Sequence, residues 1–75
     1  MRNFTLVMVP GGGAHGRQVA FGTTLAQFAA TEGLSDRELT LVSADGEIPV
    51  PREQWGTTVL DTAIELFAVR PVKGA

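Results

Sequence analysis

The stretch Gly46 to Phe67, GEIPVPREQWGTTVLDTAIELF, constrains the fold more than any other part of the chain. Pro49 and Pro51 lack backbone donors, so the segment around them fits only an edge strand or an arm. Asp45-Gly46 before it reads as a turn. Trp55, the only tryptophan, anchors the loop that follows. Ile64 to Val69 then reads as a strand, with Ile64, Leu66 and Ala68 alternating against Glu65, Phe67 and Val69.

The whole sequence has 75 residues, which suits a single domain over residues 1–75 with one core. Hydrophobic residues make up 44% and charged residues 19%, a globular balance rather than a disordered one. No apolar run is longer than that of Leu6 to Val9, far short of the ~20 residues of a helical span, so no membrane role is expected. Met1 to Pro10 has no long apolar core ahead of a small-residue cleavage site, so no signal peptide is expected and the simplest address is cytoplasmic. Cys is absent, which removes disulfides, thiolate metal sites and thiol nucleophiles. Net charge is −2 with scattered basic residues, the opposite of a nucleic-acid stripe.

Phe4 to Val9 alternates and is rich in β-formers, so it reads as a strand that stops at Pro10-Gly11-Gly12-Gly13. Arg17 to Phe21 reads as a second strand, with Val19 and Phe21 sharing a face. The glycine-rich segment 10–16 then becomes a long hairpin loop. Thr24-Leu25-Ala26-Gln27 fits a capping box, and Leu25, Phe28 and Ala29 recur at helical spacing. Gly33 suits a left-handed helix ending, with Leu34 folding back, so the helix runs from Leu25 to Glu32. Asp36-Arg37-Glu38 is a polar connection, Leu39 to Ser43 a third strand, and Ile48 to Val50 a short edge piece.

These elements predict an α+β fold in which one helix covers one face of a mixed sheet of four or five strands. The first and last strands are expected side by side, central and parallel, because the helix supplies the crossover. That arrangement is a β-grasp, or ubiquitin-like, roll. Its expected core contains Phe4, Leu6, Leu25, Phe28, Leu41, Ile64 and Leu66.

The stretch Gly46-Glu47-Ile48, then Val50-Pro51-Arg52, Trp55, Thr57-Thr58, Leu60 and Ile64-Glu65-Leu66, resembles the second half of the thiamine-biosynthesis sulfur carrier family (ThiS). Thr24-Leu25-Ala26 at the helix start resembles the same family and its relative, the small subunit of molybdopterin synthase (MoaD). The resemblance spans most of the chain and implies the β-grasp fold. It also implies a carrier whose C-terminus is adenylated by a partner enzyme and converted to a thiocarboxylate. That family ends in Gly-Gly, whereas this sequence ends Val72-Lys73-Gly74-Ala75. The tail at 70–75 adds a methyl group and a lysine side chain where the resemblance calls for bare backbone.

Gly11-x-Gly13-x-x-Gly16 matches the dinucleotide fingerprint in spacing, but a strand follows it, whereas pyrophosphate binding needs a helix N-terminus there. A hairpin loop is the ordinary reading. His15 lacks neighbours spaced for catalysis or metal binding. Arg52 reads as a surface ion-pair partner of Glu53 or Asp61, or as a partner contact. Trp55 reads first as a packing anchor. The second half is acidic, through Asp45, Glu47, Glu53, Asp61 and Glu65, and could face a basic partner.

With no paired acids, nucleophile or metal cluster, an enzyme is not expected, and neither is a cofactor. The expectation is a non-enzymatic protein-interaction module, a small subunit of a larger protein assembly such as a viral particle. Arg52, Trp55, Arg70, Lys73, Gly74 and Ala75 are the candidate partner-binding residues. The alternative is a sulfur carrier of thiamine or molybdopterin type, with an adenylating enzyme as its partner.

Overall fold

The computed structural model describes residues 1–71. The elements run β1 (Arg2–Val9), β2 (Gly13–Val19), α1 (Leu25–Glu32), β3 (Glu38–Ser43), β4 (Gly46–Val50) and β5 (Glu65–Val69), with one 3-10 turn at Arg52–Gln54. The five strands form a single mixed sheet in the order β2-β1-β5-β3-β4. β1 and β5 are parallel, with Leu6 opposite Leu66, and β5 lies in the centre. The other pairings are antiparallel.

The helix forms where the caps place it. Thr24 Oγ1 accepts from Gln27 N and Gln27 Oε1 accepts from Thr24 N, closing a reciprocal capping box. Gly33 takes the left-handed conformation at φ 71°, and Leu34 N donates to Ala29 O at 2.9 Å. The buried side of α1 is Leu25, Phe28 and Ala29. Phe28 meets Phe4 of β1 edge to face, with ring centroids 5.1 Å apart. Leu6, Leu39, Leu41, Leu66 and Ala68 complete the sheet side, and Leu34, Val50, Trp55, Leu60 and Ala63 close its margins.

Three expectations are corrected. The glycine-rich segment is no long loop, because β2 begins at Gly13 and pairs Gly13 with Met8, leaving residues 9–12 to turn. That tightness explains the glycines. Gly11 and Gly13 have positive φ, and a Cβ on Gly12 would lie 2.1 Å from Met8 Cβ. Phe21 is not in the second strand, which ends at Val19, and it is 67% exposed. Ile64 is outside the core, at 48% exposure, and β5 starts one residue later. Its N–H donates to Val42 O, although the register gives Val42 to Glu65. Two residues thus lie against one, the arrangement of a bulge, and the extra residue turns Ile64 outward.

Candidate functional site

The register leaves one face of the sheet away from the helix. Phe4, Leu6, Leu66, Ala68, Leu39 and Leu41 point toward α1 and are buried. Alternate residues point the other way, because successive strand side chains take opposite faces. On this open face the cross-strand partners line up as Ala14, Val7, Phe67, Thr40 and Pro49, one from each strand in sheet order. None of these is charged. Phe67, Val7 and Thr40 in the middle are half-buried, while Ala14 and Pro49 at the margins are exposed.

Charge collects beside this band rather than in it. The next row to one side is Thr5, Glu65, Val42 and Glu47, and the row on the other side is Val9, Val69 and Glu38. The open face is therefore an uncharged strip with Glu47 and Glu65 along one side and Glu38 on the other. Neither the strip nor its flanking charge was visible as a motif. Its residues come from all five strands, and only the register brings them together.

On the Val9–Val69 side of the strip the chain leaves the sheet. Arg70 N donates to Val9 O at 2.8 Å, continuing the β1–β5 ladder past Val69. Arg37 reaches the same place, its Nη1 donating to Val9 O at 3.2 Å and to Ala68 O at 3.3 Å. Arg37 thus fastens the end of the central strand pair, a role that its polar connection Asp36-Arg37-Glu38 did not signal. Arg70 and Pro71 beyond it are exposed. Lys73, Gly74 and Ala75 lie outside the described residues.

Arg52 and Trp55 sit at another margin. Trp55 is buried at 6% exposure and its Nε1 donates to Val50 O at 3.0 Å. The Arg52 guanidinium lies over the ring, 4.6 Å from its centroid. Arg52 thus stacks on Trp55 instead of pairing with Glu53 or Asp61, and Asp61 Oδ1 accepts from Gly22 N at 2.8 Å. The Trp55 loop also completes the helix N-terminus. Leu25 N donates to Thr58 O and Ala26 N to Trp55 O, so the first-turn donors are already used.

The remaining candidates do not converge on chemistry. His15 Nε2 lies 2.7 Å from Gly12 O within its own hairpin. Gly13 and Gly16 belong to β2, and no helix follows them to receive a pyrophosphate. Among the described residues no group of three or more His, Asp or Glu side chains is placed to hold a metal ion. An open cleft of about 570 Å³ lies beside Thr5, Gly16, Gln18 and Ile64. Arg2 borders it, donating from Nη2 to Ala63 O at 2.9 Å, and the cleft is lined by no carboxylate or imidazole. No helix of the described residues is long and apolar enough to cross a membrane.

No family model, curated protein or solved structure matches the chain.

Proposed function

We propose that this chain is a non-enzymatic protein-interaction module of β-grasp type, a small subunit of a larger protein assembly. The sheet order β2-β1-β5-β3-β4, with a parallel central pair and one helix, supports the β-grasp reading. The observation that carries the function is the strip Ala14, Val7, Phe67, Thr40 and Pro49 with Glu38, Glu47 and Glu65 along its sides. An uncharged centre with a polar rim is the anatomy of a protein contact, and aromatic residues such as Phe67 are enriched at such centres. The acidic side formed by Glu47 and Glu65 selects a partner with basic groups beside a flat apolar surface.

The test is site-specific photocrosslinking in cells. A photoreactive residue replaces Thr40 in the strip or, as the control, Ala30 on the exposed side of α1. Position 40 should give one discrete crosslinked protein that position 30 does not give. Reversing Glu47 and Glu65 to lysine should remove that product. Equal labelling from both positions would overturn the reading.

A second reading is favoured by the exit of the chain from the central strand β5 beside Val9. It is a sulfur carrier of thiamine or molybdopterin type, activated by an adenylating enzyme and then thiocarboxylated at its C-terminus. ATP–pyrophosphate exchange with such an enzyme, followed by intact mass, separates the two. Exchange of a carboxylate oxygen for sulfur would favour the carrier.

A further inference from the structure

The two edges of the sheet are built differently, and hydrogen bonds elsewhere fix which way each edge points. Thr5 N donates to Ile64 O, and Val9 O accepts from Arg70 N, so positions 5 and 9 of β1 bond toward β5. Alternation gives Phe4, Leu6 and Met8 to β2, where their partners are Arg17, His15 and Gly13. The backbone groups of Ala14, Gly16 and Gln18 therefore point out of the sheet. Arg17 Nη1 donating to Gly16 O at 3.0 Å agrees with this direction. At the other edge, Val42 O accepts from Ile64 N, so position 42 of β3 bonds toward β5. Leu41 and Ser43 are left for Ile48 and Gly46, and the outward positions of β4 are Glu47 and Pro49.

Pro49 has no N–H to offer on that outer edge, and Pro51 follows it, the usual guard against edge pairing. β2 has no such guard. It is a seven-residue strand without proline, exposed at Ala14, Gly16 and Gln18, and its Arg17 is held by Glu32 at 3.2 Å.

We propose that two copies of this chain associate by antiparallel pairing of β2 with β2 about Gly16, joining two five-stranded sheets into one. The strand is self-complementary about that centre. Gly16 meets Gly16 of the second copy, and Ala14 meets Gln18, so every outward donor faces an outward acceptor, the Gly16 carbonyl having one lone pair left beside its bond from Arg17 Nη1. Glycine and alanine at two of these positions put no bulk on the open face, where Gln18 is the one long side chain of the three. On the helix side, His15 of one copy comes opposite Arg17 of the other, next to the Glu32 carboxylate that Arg17 already binds. That places an imidazole beside an acid rather than beside a second bare cation. Backbone pairing is open to any extended segment, but the match of His15 with Arg17 and Glu32 is between this strand and its own copy, and the occupant proposed is therefore the second copy. The pairing uses the β2 edge and stands independently of the open-face reading above.

Amide hydrogen exchange of the natural chain reads it directly. From about 10 µM to about 1 mM, the range where a small interface self-associates, the amides of Ala14, Gly16 and Gln18 should gain protection while Glu47 stays unchanged. Gly16→Pro removes the central donor and should weaken the association by roughly tenfold or more in sedimentation. Since proline could also disturb β2 itself, Gly16→Cys supplies a second reading in a chain that has no cysteine of its own. Hydrogen-bonded antiparallel partners have Cα atoms about 5.5 Å apart, within disulfide range. Gly16→Cys should therefore crosslink to itself under mild oxidation much faster than Pro49→Cys. Exchange at the three β2 amides that ignores concentration, a monomer at about 1 mM, or equal crosslinking from both edges would overturn the proposal.

Discussion

Trp55 Nε1 donates to the Val50 carbonyl at 3.0 Å in a buried contact, tying the loop after the double proline back onto the end of β4. The same ring carries Arg52 on its face and packs among the core residues. Trp55→Phe keeps most of the apolar bulk but leaves the Val50 oxygen without its partner. Such a loss costs about 1–3 kcal/mol. Trp55→Ala adds a cavity and should cost about 3–5 kcal/mol. Arg52→Ala removes only an exposed cation–π contact, about 0.5–1 kcal/mol. Urea denaturation of the three variants gives the order. Trp55→Phe as stable as the parent would sink the hydrogen-bond argument.

Leu66 and Ile64 make the sharper pair. Leu66 is fully buried between Leu6 and Leu41, and Ile64 is half exposed at the bulge. Leu66→Ala should cost about 2–5 kcal/mol, the usual range for a buried large-to-small change. Ile64→Ala should stay within about 0.5 kcal/mol, as surface changes do. Equal losses in a denaturation midpoint would place Ile64 back in the core.

That pair also marks how far the sequence could be read. Period-two alternation carried the faces of β1 and most of β5, and the capping box with Gly33 carried the helix from Leu25 to Glu32. The parallel central pair followed from the helix between the hairpin and the later strands. Alternation failed at Ile64 because one extra residue against Val42 shifts the phase, and nothing in Ala63-Ile64-Glu65 announces it. It failed at Phe21 because the Phe21-Gly22 turn had already left the sheet. The uncharged strip was not legible, since Ala14, Val7, Phe67, Thr40 and Pro49 are neighbours only through four registers. The tail residues singled out from the sequence, Lys73 to Ala75, lie outside the described residues.

The first hairpin gives a prediction about glycine chemistry. A Cβ on Gly12 would sit 2.1 Å from Met8 Cβ, whereas one on Gly16 meets nothing within 4 Å. Gly12→Ala therefore forces the turn to move, at a cost of about 1–3 kcal/mol, the range for overpacking. Gly16→Ala should change stability by under about 0.5 kcal/mol. Thermal melts of both variants provide the comparison. A nucleotide-binding role for these glycines would instead show as adenine-nucleotide shifts at Gly11, Gly13 and Gly16, and none is expected.

The capping box can be tested by rescue. Thr24→Ala removes the oxygen that accepts from Gln27 N and should cost about 0.5–2 kcal/mol. Thr24→Ser restores the acceptor and should recover most of that loss. If serine behaved like alanine in the denaturation curve, the role of Thr24 would lie in its methyl group and not in its cap.

Arg37 connects the fold to the exit of the chain. Val9 O accepts from both Arg70 N at 2.8 Å and Arg37 Nη1 at 3.2 Å, one donor for each lone pair. Arg37 also reaches Ala68 O, so one guanidinium holds the ends of β1 and β5 together. Arg37→Ala removes these charge-assisted bonds where water can replace them, and global stability should fall by only about 1 kcal/mol. The local effect should be larger, because the last bond of a ladder opens first. The Arg70 amide should then exchange up to roughly tenfold faster, while amides in the middle of β5, such as Phe67, change only with global stability. Both bonds come from the one nitrogen Nη1, so Arg37→Lys, which keeps the charge on a single donor nitrogen but changes its reach, should fall between the parent and alanine. Unchanged exchange at Arg70 in Arg37→Ala would show that the ladder end is held without the guanidinium.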